Sequence, residues 1–276
     1  MELIATRTGV KTLVMGILNA TPDSFFDGGA LPTAAAVFDR GRQMVEEGAD
    51  ILDVGGESSR PGAAPISLDQ ELGRVLPSVE RLTGLGVAVS IDTYRAETAR
   101  RCLSLGAAMV NDITALRGDP AMAGRIAEAG CDCVLMHMQG TPETMQRDPV
   151  YQDVVGDICD FFEERMQFAA REGIKEEAIW LDPGFGFGKT AAHNLEVLRR
   201  LGEFRRFGRP VLIGTSNKST IGKVLGLPLD DRMEGTAATV AIAIAHGADC
   251  VRVHNVRAMA RVAAMSDAVM GRGEYG

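Results

Sequence analysis

The feature that most constrains the fold of this chain is a repeated joint. Gly48-Ala49-Asp50, Gly106-Ala107-Ala108, Gly130-Cys131-Asp132 and Gly247-Ala248-Asp249 each separate an Ala- and Leu-rich segment from a short β-branched run. Glycine suits the residue just past a helix because it takes positive φ without a Cβ penalty. The chain therefore stops a helix and opens a strand within three residues, again and again. The runs predict strands at 13–19, 51–56, 88–92, 109–113, 133–138, 179–183, 210–214 and 250–254, with helical stretches such as TAAAVFDRGRQMVEEG, RAETARRCLSLG and GTAATVAIAIAHG between them. Eight such units in 276 residues fit a closed barrel better than an open doubly wound sheet. Continuously apolar strands fit parallel pairing with both faces covered. The expected fold is α/β, a single (β/α)8 TIM barrel over residues 1–276 with its active site at the C-terminal ends of the strands.

Charge narrows the partners. A formal net charge of −8 is a poor match for a nucleic-acid surface, which wants a basic face. It leaves room for anionic small molecules held by a few converging Arg and Lys. The cysteines, Cys102, Cys131, Cys133, Cys159 and Cys250, form an odd set without a CxxC pair, and are read as reduced thiols of a cytoplasmic protein. The opening MELIATRTGVKT has no signal-peptide core, and no apolar run is long enough to span a bilayer.

The predicted strand ends carry the chemistry. They read Asn19, Gly55-Gly56-Glu57, Asp92, Asn111, His137, Asp182, Lys218 and Arg252 with His254. One polar residue at a strand end is ordinary cap or turn chemistry. A ring of them implies a shared mouth. Asp92, Asn111, Asp182 and Lys218 offer two carboxylates, an amide and an ammonium, suited to a heterocycle with a guanidine-like edge and a carbonyl. Asn19, Arg60, Arg252 and His254 suit phosphate oxygens. The two regions together describe a polar heterocycle on a phosphorylated arm.

Two polar, turn-rich loops, residues 15–29 (MGILNATPDSFFDGG) and 53–63 (DVGGESSRPGA), open onto that mouth and read as binding lids. Residues 182–190 (DPGFGFGKT) invite a phosphate-loop reading that fails, because the required first glycine falls on Pro183. A tight loop carrying Asp182, with Phe187 as a wall for an aromatic substrate, fits better. His193 and His246 sit in helical stretches as surface or packing positions, and Lys189-Thr190 opens a helix with no need to touch ligand. His137 can line the pocket or serve as an internal hydrogen-bond partner, and Glu57 can orient the second loop or cap it.

The long motifs MGILNATPDSFFDGG, GADILDVGGESSRPGA, SIDTYRAETAR, MVNDITAL, LDPGFGFGKT, GTSNKSTIG and RVHNV resemble the dihydropteroate synthase family of pterin-binding enzymes across essentially the whole chain. The resemblance implies the same barrel and a pterin held by Asp92, Asn111, Asp182 and Lys218, with Met136 or Met138 nearby. Arg252 would lie over the ring and reach the pyrophosphate with Asn19, Arg60 and His254. Asn19 would also contact Mg2+. A 4-aminobenzoate would sit near Phe25, Ser59, Pro61 and Phe187, its carboxylate near Ser219, with Asp27 and Arg60 on the closing loops. A homodimer is implied as well. Ser59 stands where Thr is common, Asn217 where Arg is usual and Asn255 where Asp is frequent, departures that bear on affinity rather than on the reaction.

The implied reaction is substitution at the pterin's exocyclic methylene, with pyrophosphate leaving and the arylamine attacking along an SN1-like path. The catalytic set is Asn19, Asp92, Asp182, Lys218, Arg252 and His254. The rivals are a methyltetrahydrofolate:corrinoid methyltransferase and a non-catalytic pterin-binding paralogue. The first has no use for the SSRPG loop or the RVH pair, and the second would have lost some of the residues that are present here.

Overall fold

The computed structural model describes residues 11–21, 33–59 and 62–273. Eight strands lie in one parallel sheet in the order β6-β5-β4-β3-β2-β1-β8-β7. They are β1 (Leu13–Asn19), β2 (Ile51–Gly55), β3 (Ala88–Asp92), β4 (Met109–Asp112), β5 (Asp132–Met136), β6 (Ile179–Asp182), β7 (Leu212–Ile213) and β8 (Cys250–Val253). A single bridge between Leu181 and Val211, with Leu181 N donating to Pro210 O at 2.9 Å, joins β6 to β7 and brings the sheet round into a barrel.

The helices lie outside the strands. They are α1 (Ala34–Glu46), α2 (Leu68–Leu82), α3 (Ala96–Ser104), α4 (Met122–Ala129), α5 (Val154–Arg171), α6 (Ala191–Arg199), α7 (Ser219–Leu225), α8 (Met233–Ala245) and α9 (Val256–Val269). The expected one-to-one alternation is broken once, since both α7 and α8 lie between β7 and β8. The joints behave as expected, with Gly48, Gly106, Gly130 and Gly247 at φ of 103°, 100°, 60° and 98°. Helix starts follow capping chemistry: Thr33, Ser67 and Thr190 each accept an N–H bond from the first turn of α1, α2 and α6.

Strand pairing trims the expected strands. β5 runs 132–136 instead of 133–138, and β7 shrinks to Leu212 and Ile213, the residues paired with Cys250 and Val251. β2, β4, β6 and β8 each end one residue earlier than the sequence suggested.

Alternation along the strands sorts the barrel interior into levels. The lower level is apolar: Leu13, Met15, Ile51, Met109, Val134, Trp180, Leu212 and Cys250 are fully buried against one another. The opposite strand faces pack under the helices as a second, larger core. Trp180 is the largest of the inner set, and its indole N–H donates to Asp132 Oδ1 at 2.8 Å. Trp180→Phe removes that donor and opens a cavity at the barrel axis. We expect a loss of about 2–4 kcal/mol, read from the urea midpoint, with the fold retained.

Candidate active site

Above the apolar level the same alternation turns polar. Ladder register sets Gly55 beside Asp92 and Asp92 beside Asn111, while Met136 lies beside Asp182. Arg252, reached from β8, closes the group. Its Nε donates to Asp53 Oδ2 at 2.6 Å and its Nη2 to Asp92 Oδ2 at 2.7 Å. Asn111 Nδ2 donates to the same Asp53 oxygen at 3.1 Å. Asp53 is 0% exposed, whereas the Arg252 and Asp92 side chains keep 17% and 13% of their surface. The cluster thus faces the mouth and is rooted in the barrel. Asp53 Oδ1 and Asn111 Oδ1 are buried acceptors without a hydrogen-bond partner among the described residues.

Of the remaining predicted residues, Asp182 and Lys218 lie within electrostatic reach of this group. Asp182 is buried, accepts from Gly184 N at 2.7 Å, and feels the charges of Lys218 and Arg252. Lys218 places its ammonium 4.2 Å from the centre of the Phe187 ring. The Nδ1 of His254 is 3.0 Å from Ser216 Oγ, which orients the imidazole. Asn19 ends β1 partly buried, its Oδ1 3.8 Å from where a Cβ on Gly55 would stand. Ser59 is partly buried just beyond β2, and Ser219 is exposed as the first residue of α7. Phe25, Asp27, Arg60 and Pro61 lie outside the described residues.

Two open readings resolve. Glu57 orients the second loop: Oε1 accepts from the Tyr94 hydroxyl at 2.8 Å, and Oε2 lies 2.7 Å from Arg95 Nη1 and 3.4 Å from Ile66 N. His137 is an internal hydrogen-bond partner, 7% exposed, with Nδ1 2.9 Å from Lys189 Nζ. His193 completes the capping box of α6, and His246 Nδ1 sits 2.7 Å from Leu198 O.

Residue reasoning missed three groups. Asp53 anchors Arg252, and the period-two pattern of ILDVG could have shown it pointing inward with Ile51 and Gly55. Glu71 is fully buried on α2 and accepts from Thr93, Thr98 and Arg95 at 2.7–2.8 Å, bracing the end of β3. Lys189 is buried rather than idle. Nothing in their neighbouring residues marks either Glu71 or Lys189.

Burial sets the protonation of the site. It pushes Asp92 from 3.8 up to about 7, with Arg252 opposing and Asp53 adding to the rise. Asp182 rises to about 6 for the same reason, held back by the Gly184 N–H and the nearby cations. Burial alone would lower Arg252, yet Asp53 and Asp92 outweigh it and hold the guanidinium above its ordinary value. A cavity of about 460 Å³ adjoins the ring, lined by Glu57, Tyr94, Ile113, Thr114, Met138 and Thr141 among others. Of the polar strand ends only Glu57 lines it, and Asp92, Asn111, Asp182, Lys218 and Arg252 do not.

The strand ends thus hold two carboxylates tied to one guanidinium and an ammonium against an aromatic ring. The family model described as pterin binding enzyme matches residues 15–254. The chain belongs to the pterin-binding enzyme family. Among its pterin-binding relatives, the dihydropteroate synthase of Synechocystis is 46% identical over 263 residues, covering 95% of this chain and 91% of the relative. The Yersinia pestis dihydropteroate synthase, solved with a sulfonamide drug complex, superposes with a TM-score of 0.91 at 40% identity, covering 95% of each chain. The Xanthomonas albilineans dihydropteroate synthase in complex with 7,8-dihydropteroate gives a TM-score of 0.84 at 37% identity, covering 94% of each chain.

Two outcomes follow for this polar cluster. Arg252→Met leaves the wholly buried Asp53 without its cation and should cost about 3–5 kcal/mol by chemical denaturation. The second concerns pH. With its folded pKa raised, Asp92 makes the native state bind more protons than the unfolded chain between 3.8 and about 7. Its favourable contribution is complete below that window and is lost as pH rises through about 7. Asp182 adds to this fall, while His137 and Lys189, whose pKa values burial lowers, act in the opposite direction. The comparison is therefore with the variant: Asp92→Asn should make the urea midpoint fall less, or rise more, between pH 5 and pH 7 than it does in wild type. An unchanged slope would remove Asp92 as a source of the fall.

Proposed function

We propose that this chain joins (7,8-dihydropterin-6-yl)methyl diphosphate to 4-aminobenzoate, giving 7,8-dihydropteroate and diphosphate. The observation that carries the reading is the polar ring itself: Asp92, Asn111, Asp182, Lys218 and Arg252 gathered at the C-terminal ends of the strands, in a chain whose relatives are dihydropteroate synthases. Asp182 and Asn111 would accept from the guanidine-like edge of the pterin, and Lys218 would donate to its carbonyl. Phe187, its face against the Lys218 ammonium, would wall the benzoate beside the pterin.

The arylamine is neutral near pH 7 and needs little base catalysis, so charge separation at the leaving diphosphate is the hard step. Arg252 keeps 17% of its side-chain surface and Ser216 lies 3.0 Å from the His254 imidazole, which supports a reading in which both would bind the departing oxygens. Positive charge left on the methylene would spread into the dihydropterin ring. The ionised forms of Asp92 and Asp182 would stabilise it, which favours a dissociative, SN1-like path.

The residues present fit Mg2+ in one way. Among the described residues no three His, Cys, Asp or Glu side chains form a metal cage, and Asn19 offers a single amide oxygen at the mouth. Mg2+ suits such a place because it keeps several waters and takes substrate phosphates as ligands. Bound with the diphosphate, it would supply Lewis-acid stabilisation of the leaving group.

We also infer a cytoplasmic homodimer. Its support is the set of exposed apolar side chains on neighbouring helices and their link, Val224, Leu225, Leu229, Ile242, Met265 and Val269, together with five buried free cysteines.

The test is diphosphate release from purified protein with Mg2+ and the dihydropterin diphosphate, with and without 4-aminobenzoate, and the product checked by mass. Release that depends on the benzoate, with dihydropteroate formed, is expected. Asp182→Asn should lower kcat/KM by about 10²–10³-fold, the usual effect of losing one electrostatic partner of a transition state. Pterin binding without turnover, or methyl transfer to a corrinoid, would overturn the reading.

A further inference from the structure

The turn from Gly184 to Gly188 walls the pterin site and packs on the chain leaving β5. The approach is backbone against backbone. A Cβ on Gly184 would stand 1.9 Å from His137 O, and one on Gly188 would stand 2.5 Å from Gln139 O. Gln146 Nε2 donates to Gly186 O at 2.9 Å and the Tyr151 hydroxyl to Gly188 O at 2.6 Å, while the carbonyls of Gly184 and Phe187 share one side-chain donor. Lys189 Nζ, in a side chain only 2% exposed, lies 3.1 Å from Gly184 O, 3.1 Å from Phe187 O, 3.4 Å from His137 O and 2.9 Å from His137 Nδ1.

Each end of this turn carries a residue of the pterin site. Gly184 N donates to Asp182 Oδ1. Phe187 sits under the Lys218 ammonium, and a Cβ on Gly186 would stand 3.1 Å from the Lys218 stem. We propose that Lys189 is a positioning residue: its buried ammonium gathers the Gly184 and Phe187 carbonyls onto the end of β5, and so sets where Asp182 and Lys218 meet the pterin and where Phe187 walls the benzoate beside it. The proposal rests on the function inferred above. It requires His137 to be neutral with its proton on Nε2, so that Nδ1 can accept from Lys189. Burial, with Lys189 and Arg117 nearby, keeps His137 neutral by holding its pKa well below the ordinary value. Burial also lowers Lys189 to about 7 against the pull of Asp182, so the clamp is an ammonium below that pH and both measurements belong at pH 6.

Two measurements decide it. In wild-type protein, 15N NMR of the imidazoles, of which the chain has four, should show His137 as the Nε2–H tautomer. An Nδ1–H tautomer or a protonated ring would overturn the clamp. In Lys189→Met, the Kd of the dihydropterin diphosphate should rise about tenfold, as expected from removing the donor shared by the Gly184 and Phe187 carbonyls, while the Kd of inorganic diphosphate, held away from the turn by Arg252 and His254, changes less than about twofold. Equal loss for both ligands, or none for the pterin, overturns the proposal. Should Lys189→Met not fold, His137→Leu leaves the ammonium its three carbonyls and takes over the test. A selective rise in pterin Kd of about threefold supports the proposal, and no change sinks it. Wild-type protein that forms no dihydropteroate would instead refute the functional reading, and the tautomer would still judge the clamp on its own.

Discussion

The site depends on a cation held between carboxylates inside a barrel. Arg252 would not be buried without Asp53, and Asp53 would not be buried without Arg252, because either charge alone at this depth costs several kcal/mol. Their pairing is what allows a polar level to exist directly above a floor of Leu, Ile, Met, Val and Trp. Asp92 then joins from the mouth side and Asn111 from β4, so four strands converge on one guanidinium. The polar mouth of the barrel is thus an extension of an ion cluster whose deepest member, Asp53, is 0% exposed. This also explains why Asp92 stays hard to ionise although it touches a cation: burial and the neighbouring Asp53 act against it.

Much of the fold was legible because its signals are local. A glycine at a helix end, a Thr or Ser at a helix start and a β-branched run each act within a few residues, and the structure follows them at Gly48, Ser67 and Ile51. The strand ends were less legible, since they depend on what the neighbouring strand offers. Val211 reads as a strand residue, yet it makes only an isolated bridge to Leu181, while Leu212 and Ile213 form the ladder with β8. The helix pair after β7 was missed for a related reason. Gly226 closes α7 at φ 71°, but the short stretch STIGKVL has no apolar stripe long enough to announce a helix of its own.

The site divides along the same line. Residues at strand ends were found because a barrel delivers every strand end to one mouth. Asp53 and Lys189 were not, because their roles consist of partners far along the chain. Asp53 answers an arginine 199 residues away, and Lys189 answers a histidine 52 residues back together with carbonyl groups, which leave no trace in residue identity. Asn217 gives the converse lesson. Its departure from Arg removes a charge, yet Asn217 occupies a left-handed turn at φ 57°, a conformation Asn tolerates better than most residues, and its carbonyl accepts from Arg232 at 2.9 Å. A guanidinium thus remains tied to this loop from the start of α8.

The seam between β6 and β7 has a mechanical consequence. Seven of the strand junctions are ladders, but this one is a bridge and one neighbouring hydrogen bond. Asp182 ends the strand on one side, and Lys218 follows the strand on the other. A rigid planar molecule gripped by both residues spans the seam as a staple spans a split in a hoop. Occupancy would therefore tighten the ring of strands at its weakest joint, slowing amide exchange at Leu181 and Val211 more than elsewhere in the wall.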